Sequence, residues 1–399
     1  MGLINNNDME SSGKPILWNR NFVQCCLSYF LMNFAFYMLM PTMPVYLTEE
    51  LGIGKSEVGI ALSSYTIGVL CVRPFSGYLV DCFSRKPLYL FAFTLFGIFF
   101  FGYFFTALGL LLLIRFLQGG FMGLTSVAGN TITIDVIPSE RRGEGMGFYG
   151  LTINLAMSLA PLVAVAAYAH HGFSSIIWIC LGISLAGILS VLFIQYPARK
   201  PVKRPAFSLD RFILLTALPA AASYILIAIP YGMLTSFVVL YGKEIGIAEP
   251  GYFFVFMAIG VGISRLISGR LVDHGKIHQV ASSSIICLIL SFALFATIYR
   301  PEVFYGAALF IGIGFGTGVP AFQCLFVNVA PHSLRGTATS TYLTSFDVGV
   351  GIGMLLAGFI SAHISLSAAY LFGSLCCVAS LFVYWHWTKA SYERNKIGK

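Results

Sequence analysis

The sequence predicts an all-α membrane protein with twelve transmembrane helices in two pseudo-symmetric six-helix bundles. First, the 399 residues are 57% hydrophobic and only 10% charged, with a mean hydropathy of +0.83, whereas a soluble protein of this size needs far more polar surface. Second, many apolar runs have the roughly 20 residues that an α-helix needs to cross a bilayer. Third, short phrases of the first half recur in the second.

Charged residues, prolines and glycines mark the boundaries of the predicted spans. The spans cover residues 22–46, 57–80, 87–107, 109–134, 145–169, 174–196, 211–240, 250–272, 280–299, 303–328, 337–361 and 368–388. The resulting units are a cytoplasmic tail (1–21), a bundle (22–196), a basic linker (197–210), a second bundle (211–388) and a second cytoplasmic tail (389–399). Prolines and basic residues in "YPARKPVKRPAFSLDR" cannot cross a membrane, so this linker joins the bundles in the cytoplasm.

The basic residues predict the orientation. With both termini in the cytoplasm, the outer loops hold only Lys55, Lys243 and Arg300 of the 24 Lys and Arg, as the positive-inside rule requires. The net charge of +8 therefore does not indicate nucleic-acid binding. We expect a multi-pass protein of the plasma membrane (a bacterial inner membrane), with the lipid bilayer around it. We also expect a monomer, because two halves already enclose a site.

The composition does not favour metal or enzyme chemistry. The nine cysteines lie singly or in adjacent pairs, mostly within apolar runs, and no Cys-x-x-Cys occurs, so packing is the expected role. His274 and His278 are one helical turn apart without a third ligand nearby. Neither a nucleophile–base constellation nor a Gly-x-x-x-x-Gly-Lys loop for ATP is present, so we predict no metal and no enzyme activity.

One phrase recurs at the ends of two spans. "SGYLVDCFSRK" ends span 2 and "SGRLVDHGKIH" ends span 8, so Gly77 and Asp81 correspond to Gly269 and Asp273. Further along, "IPSERRGEGMG" matches "APHSLRGTATS". Repeats of this kind in membrane carriers place the substrate site near the midplane, where the halves meet.

Over nearly its whole length the chain resembles the major facilitator superfamily. "GYLVDCFSRK" is similar to that family's signature between spans 2 and 3, and "RFLQGGFMG" is similar to its fourth-span signature through Arg115, Gln118, Gly119 and Gly123. "MPTMPVYL" at the end of span 1 is common in the drug- and sugar-efflux branches. Span 5 departs from the Gly-Pro-x-x-Gly-Gly element of many antiporters, since "NLAMSLAPLVAVA" keeps only Pro161.

The resemblance implies a latch that holds the cytoplasmic side shut and breaks as the halves rock. Glycines let the ends of spans 2 and 8 approach the opposite half, and each aspartate can then meet a helix N-terminus and an arginine. The alternative is a set of ordinary loop charges, which contribute little when solvated. The predicted gate comprises Gly77, Asp81, Arg85, Lys86, Arg142, Gly269, Asp273 and Arg335.

Asp347 is the acid that lies deep in an apolar span, "TYLTSFDVGVGIGMLL". A charge there costs roughly 2.5–3.5 kcal/mol, so it is expected to face a cavity or a partner. Its repeat counterpart is Asn154, and Arg115 of span 4 is the expected counter-charge. Asp347 and Arg115 are predicted to couple transport to protons, a role that the resemblance implies for Arg115; the alternative is that they only pin helices together.

Polar or flexible side chains inside the spans complete the predicted substrate cavity. They are Asn33, Tyr37, Tyr65, Gln118, Met122, Asn154, Tyr224, Tyr231 and Gln323. For each tyrosine, packing between helices is an equally good explanation.

The predicted function is proton-coupled efflux of a small organic molecule, either drug-like, amphipathic or sugar-like, by alternating access. No cofactor is expected apart from the proton as coupling ion. Uptake of a nutrient by proton symport is the alternative, and it would use the same acid and base.

Overall fold

The fold is that of a computed structural model, which describes residues 16–105, 107–138, 141–195, 213–273, 276–330 and 335–396. Within those ranges it leaves undescribed the side chains at 74, 77–78, 81–82, 142–144, 147, 154, 158, 265–273 and 335–336. The predicted linker, 197–210, lies outside the described residues.

Helices occupy all twelve predicted spans, and the described ranges contain no strand. In chain order they are α1 (Arg20–Val45), α2 (Lys55–Cys82), α3 (Arg85–Ile98), α4 (Leu108–Val136), α5 (Arg142–Leu192), α6 (Leu218–Glu244), α7 (Tyr252–Asp273), α8 (Ile277–Thr297), α9 (Pro301–Asn328), α10 (Arg335–His363), α11 (Leu366–Val383) and α12 (Lys389–Asn395). Helix α5 contains spans 5 and 6, so spans 7 to 12 are α6 to α11. The predicted all-α membrane fold is confirmed.

Several helices have the length and composition of membrane spans. In the part of the chain that the structure describes, nine helices are long and apolar enough to cross a bilayer. One of them, Phe148–Leu192, has 45 residues, which is enough for two crossings.

A single glycine breaks α5 between spans 5 and 6. Gly172 has φ 71° and ψ −178°, a backbone conformation that is essentially restricted to glycine. Nothing lies within 4 Å of the place where a Cβ would stand, so the backbone conformation, rather than crowding, requires glycine. Ser175 Oγ donates a hydrogen bond to the Gly172 carbonyl at 2.7 Å.

The same packing pattern appears in both halves. In the first half α2 packs against α4, α3 against α4, and α1 against α5. In the second half α7 packs against α9, α8 against α9, and α6 against α10 and α11, which are the corresponding pairs of spans. Between the halves, α2 meets α10 and α5 meets α7, again as a related pair, and α1 meets α6. The two predicted pseudo-symmetric bundles are therefore confirmed.

We expect Gly172→Ala to lower the free energy of unfolding by about 1–3 kcal/mol, because alanine resists this conformation. The measurement is thermal unfolding in detergent, followed by tryptophan fluorescence. Gly182→Ala is the matched control: Gly182 is helical in the same element and a Cβ there meets nothing within 4 Å, so alanine should be neutral or stabilising. Equal unfolding temperatures for the two variants would contradict this account.

Candidate functional site

The two halves meet most closely along α2 and α10. A Cβ on Gly59 would lie 2.8 Å from the Met354 carbonyl oxygen, and one on Gly358 would lie 2.5 Å from the Lys55 carbonyl oxygen. Ser63 Oγ donates a hydrogen bond to the Gly351 carbonyl at 3.1 Å. Small residues permit this backbone contact between membrane helices. We call this antiparallel contact the α2–α10 seam.

The glycines of "DVGVGIG" hold α10 between two neighbours. Gly351 faces α2, where a Cβ would stand 2.9 Å from the Thr66 side chain. Gly349 and Gly353 face α6, where Cβ atoms would stand 2.5 Å and 2.0 Å from carbonyl oxygens of Ile225 and Ile229. Asp347, the first residue of this stretch, consequently lies close to α2.

An ion pair continues the seam toward the middle of the molecule. Arg73 Nη2 of α2 lies 2.7 Å from Asp347 Oδ2 of α10, with side-chain exposures of 12% and 25%. Among the described residues no aligned hydrogen bond reaches Asp347 Oδ2 or Arg73 Nε. The pair is therefore partly shielded from solvent and links the two halves.

The counter-charge of Asp347 is therefore Arg73, and the sequence prediction of Arg115 was wrong on this point. Arg73 comes from the opposite half and meets Asp347 directly because the seam brings α2 against α10. The available signal was Arg73 itself, a second arginine within a span, on the helix whose spaced small residues mark an interface.

Arg115 instead lies inside the first half. Its side chain is fully buried, its guanidinium lies over the Tyr65 ring at 4.8 Å, and Nη2 donates a long bond to the Leu62 carbonyl at 3.4 Å. Gly119 permits this approach, since a Cβ there would stand 1.9 Å from the Tyr65 carbonyl oxygen. Arg115 Nε and Nη1 have no hydrogen-bond partner within the described ranges.

Tyr65 contacts both Arg115 and the first helix. The Arg115 guanidinium lies over its ring, and the ring stacks on Phe36 of α1 with centroids 4.6 Å apart. Its hydroxyl is buried without a hydrogen-bond partner among the described groups. Tyr65 is thus buried between α1, α2 and α4, and its role in a substrate cavity stays a prediction.

Gln118 does not belong to the central site, contrary to the prediction. Its Oε1 accepts a hydrogen bond from the Tyr103 hydroxyl, and its Nε2 donates to the Phe96 carbonyl at 3.3 Å. The side chain is buried and its amide is engaged at both ends by the region of α3. Arg115 and Gln118 both lie on a polar face of α4, as their spacing suggested. Arg115 contacts Tyr65 of α2, whereas Gln118 contacts Phe96 of α3.

The remaining predicted residues of the first half are also placed. Asn33 is buried and donates to the Tyr29 carbonyl of its own helix at 2.8 Å. Tyr37 is buried on α1, the helix of the first half that meets α6 of the second. Met122 packs, half-buried, against the apolar core.

Aromatic side chains form the wall of the second half. Tyr224 stacks on Phe322, with centroids 5.1 Å apart, and on Phe346 at 5.8 Å. Tyr231 meets Phe315 edge-on at 4.9 Å. Tyr231 also packs on Phe346, the residue before Asp347, with centroids 5.3 Å apart. The two predicted tyrosines of α6 therefore belong to an aromatic cluster that adjoins the acid.

A related pair of tyrosine stacks was missed from the sequence. Tyr29 of α1 stacks on Tyr149 of α5 at 4.3 Å and 15°. Tyr224 of α6 stacks on Tyr342 of α10 at 4.9 Å and 16°, with a hydroxyl–hydroxyl hydrogen bond of 3.0 Å. The signal was available, because "SY" begins both corresponding stretches, "SYFLMNFAFYML" and "SYILIAIPYGML".

Three predictions concern residues away from this centre. Arg85 pairs with Asp135, and Lys86 Nζ donates to the carbonyls of Leu192 and Ile194 at 2.8 Å and 2.7 Å. These contacts join elements of the first half. Gln323 is exposed on α9, outside the buried aromatic cluster.

The other predicted positions fall outside the residues whose side chains the structure describes: Gly77, Asp81, Arg142, Asn154, Gly269, Asp273 and Arg335.

No group of three or more metal-ligating side chains is found among the described residues. Among the described side chains, the chemistry near the contact of the halves includes the Asp347 carboxylate, the guanidinium groups of Arg73 and Arg115, and several phenols. Such groups can exchange protons, accept a cationic or hydrogen-bonding ligand, and stack on a planar one.

Comparison with known proteins points to membrane transport. A family model described as Major Facilitator Superfamily matches residues 25–344 and 220–399. The staphylopine export protein of Staphylococcus aureus is 24% identical over 363 residues, with 86% of this chain and 91% of that protein covered. The multidrug resistance protein MdtG of Escherichia fergusonii is 24% identical over 414 residues, with 98% and 99% covered.

Solved structures share the fold. The crystal structure of nucleoside transporter NupG matches with a TM-score of 0.71 at 17% identity, covering 93% of this chain and 99% of that one. A bacterial homologue of the human lysosomal transporter Spinster, in an inward-facing and occupied conformation, matches with a TM-score of 0.74 at 12% identity, covering 94% and 98%.

The Arg73–Asp347 contact predicts strong energetic coupling. In a double-mutant cycle of thermal stability, Arg73→Gln and Asp347→Asn should be non-additive by about 0.5–3 kcal/mol, because either change alone strands a charge in the membrane. Arg115→Gln with Asp347→Asn is the matched cycle and should be additive to within about 0.5 kcal/mol. Coupling confined to the second cycle would restore Arg115 as the partner.

Proposed function

The chain belongs to the major facilitator superfamily and is a multi-pass membrane transporter of small molecules; from this premise we propose that it exports an amphipathic organic molecule in exchange for protons. The proposed setting is a bacterial plasma membrane, with both termini cytoplasmic and the monomer as the working unit. Names of relatives that include export and multidrug resistance support the outward direction.

The Arg73–Asp347 pair is the observation that carries the proposal. A carboxylate between the halves can be exposed to each side in turn as the halves rock, and a carboxylate that gains or loses a proton on each side couples the two fluxes. Arg73 compensates the charge of Asp347 while the acid is ionised. When Asp347 is protonated, the arginine is released and the attraction across the seam is lost.

The energy of one proton is sufficient for useful export. For a neutral cargo, a proton that enters down about 100 mV supplies about 2.3 kcal/mol, which sustains a concentration ratio of about fifty. Exchange of one proton for one monovalent cation such as ethidium moves no net charge, so the pH gradient drives it. A single coupling carboxylate is therefore sufficient, and among the described residues Asp347 is the acid that meets a base of the opposite half away from the helix ends.

The aromatic surroundings support a planar, partly apolar cargo. Tyr65, Tyr224 and Tyr231 make stacked or edge-on contacts with phenylalanines, and Phe346, next to Asp347 in the chain, contacts both Tyr224 and Tyr231. Flat rings provide large contact areas for flat apolar groups, and phenol hydroxyls provide hydrogen bonds. The uncommitted nitrogens of Arg115 and the hydroxyl of Tyr65 can serve water or cargo when the centre opens.

The test is dye transport in inverted membrane vesicles with an acidic lumen. Ethidium, a planar aromatic cation, should accumulate in the lumen, and a protonophore should release it. We expect Asp347→Asn to lose concentrative uptake by at least about tenfold, one proton-coupling step being worth more than 1.4 kcal/mol, while Asp347→Glu retains part of it.

Glu57→Gln is the matched control, since Glu57 is an exposed acid at the start of α2, and it should transport as the parent does. Accumulation by Asp347→Asn against a gradient would refute the coupling role. Accumulation that requires an acidic medium instead of an acidic lumen would favour symport.

A further inference from the structure

Similar glycine-containing turns lie at the ends of α1 and α6, the first helices of the two halves. "YLTEELGI" follows α1 and "YGKEIGI" ends α6. Gly52 and Gly246 both have positive φ, 64° and 79°. The amide of Ile53 donates to the Leu47 carbonyl at 2.9 Å, and the amide of Ile247 donates to the Gly242 carbonyl at 2.8 Å. The turn at Gly246 has the hydrogen bond of a glycine-terminated helix, and the turn at Gly52 is one residue longer because Tyr46–Glu50 is a π-helix. Each turn has an acid shortly before its glycine.

Two reciprocal ion pairs link these turns across the halves. Lys55 Nζ of the first half meets Glu244 Oε1 of the second. Lys243 Nζ of the second half meets both carboxylate oxygens of Glu49 of the first, at 2.9 Å and 2.8 Å. Each half therefore supplies one lysine and one glutamate. These four residues are here called the outer latch, because the predicted orientation places both turns outside the cell.

The outer latch adjoins both a cavity and a tight contact between the halves. A cavity of about 250 Å³ lies between the halves, with Val165 and Tyr168 of α5 on one side and Val239, Lys243 and Pro250 on the other. Side chains do not fill this space, whereas the backbones of the two halves touch nearby at Lys55 and Gly358. The ion pairs lie beside the seam at its Lys55–Gly358 end, where they can act on both halves.

We propose that the outer latch holds the outer side closed while the centre faces the cytoplasm, and that external salt weakens it. The inference rests on alternating access in the proposed function, and it is independent of the cargo and of the coupling acid. The side chains of the four residues are partly exposed, between 28% and 43%. Exposed pairs are weak and screened by salt, so the outer latch biases the equilibrium between the two states without fixing it.

The test measures how often the outer side opens. Ser63→Cys places a thiol in the seam, where Ser63 is 1% exposed, and a membrane-impermeant maleimide reaches it from outside only when the halves separate. Labelling is measured in whole cells and corrected for the parent chain, whose own cysteines provide the background. Lys55→Glu and Glu244→Lys, each in this background, should raise the labelling rate about two- to fivefold.

The exchanged double variant, Lys55→Glu with Glu244→Lys, should return the rate to within about twofold of the unaltered latch, because the pair is restored with opposite polarity. Raising external salt to about 0.5 M should increase labelling of the unaltered latch, since the screening length becomes comparable with an ion-pair distance. The same salt should have little effect on Lys55→Gln with Lys243→Gln, in which both pairs are absent.

Glu57→Lys is the matched control, because it reverses an acid two residues from Lys55 that forms no ion pair within the described residues. The proposal is overturned if the exchanged variant labels as fast as the single variants, or if Glu57→Lys has an equal effect. If a charge-reversed variant fails to reach the membrane, the effect of salt on the labelling rate is the test. A salt effect that is as large in Lys55→Gln with Lys243→Gln as in the unaltered latch would then overturn the proposal. Labelling requires neither dye nor a proton gradient, so failure here leaves the test of Asp347 unaffected.

Discussion

An ionised side chain in a membrane span must find an opposite charge or water, and in this protein the opposite charge comes from the other half. Asp347 and Arg73 lie on helices from different bundles, 2.7 Å apart. Their meeting requires α2 and α10 to approach at backbone distance, which Gly59, Gly351 and Gly358 permit. The seam, the central charge and the contact between the halves are therefore one feature: without the small residues the acid would have no partner, and the two bundles would have no charged link at their centre.

The fold could be predicted from the sequence because lipid leaves the backbone few options. Polar backbone groups must be satisfied within a span, so apolar length and interruptions locate each helix to within a few residues. Even the break at Gly172 falls in the predicted gap between spans 5 and 6. The candidate site was only partly predictable. Asp347, Tyr65, Tyr224 and Tyr231 were identified because buried polar groups are conspicuous in an apolar run.

The partners of those residues were not predictable in the same way, since contacts depend on the face that each helix presents to a neighbour distant in sequence. Spacing along α4 suggested one polar stripe from Arg115 to Gln118, and the structure places the Arg115 guanidinium over Tyr65 and the Gln118 amide on Tyr103 and Phe96, away from Asp347. The two halves share structural features but differ in their charged residues. The tyrosine stacks and the glycine turns occur in both halves. In contrast, the position that corresponds to Asp347 is Asn154, and the one that corresponds to Arg115 is Ala308. Duplication supplied two similar bodies, and later divergence of single side chains made the centre chemically one-sided.

The seam between α2 and α10 has a mechanical consequence. Where long side chains interlock, relative motion of two helices requires each to leave its rotamer and repack. In the α2–α10 seam, Gly59 and Gly358 pack against backbone atoms of the opposite helix. Few side chains therefore have to change rotamer when the helices move. One body can therefore roll on the other, or separate from it and return, with little repacking of side chains at this contact.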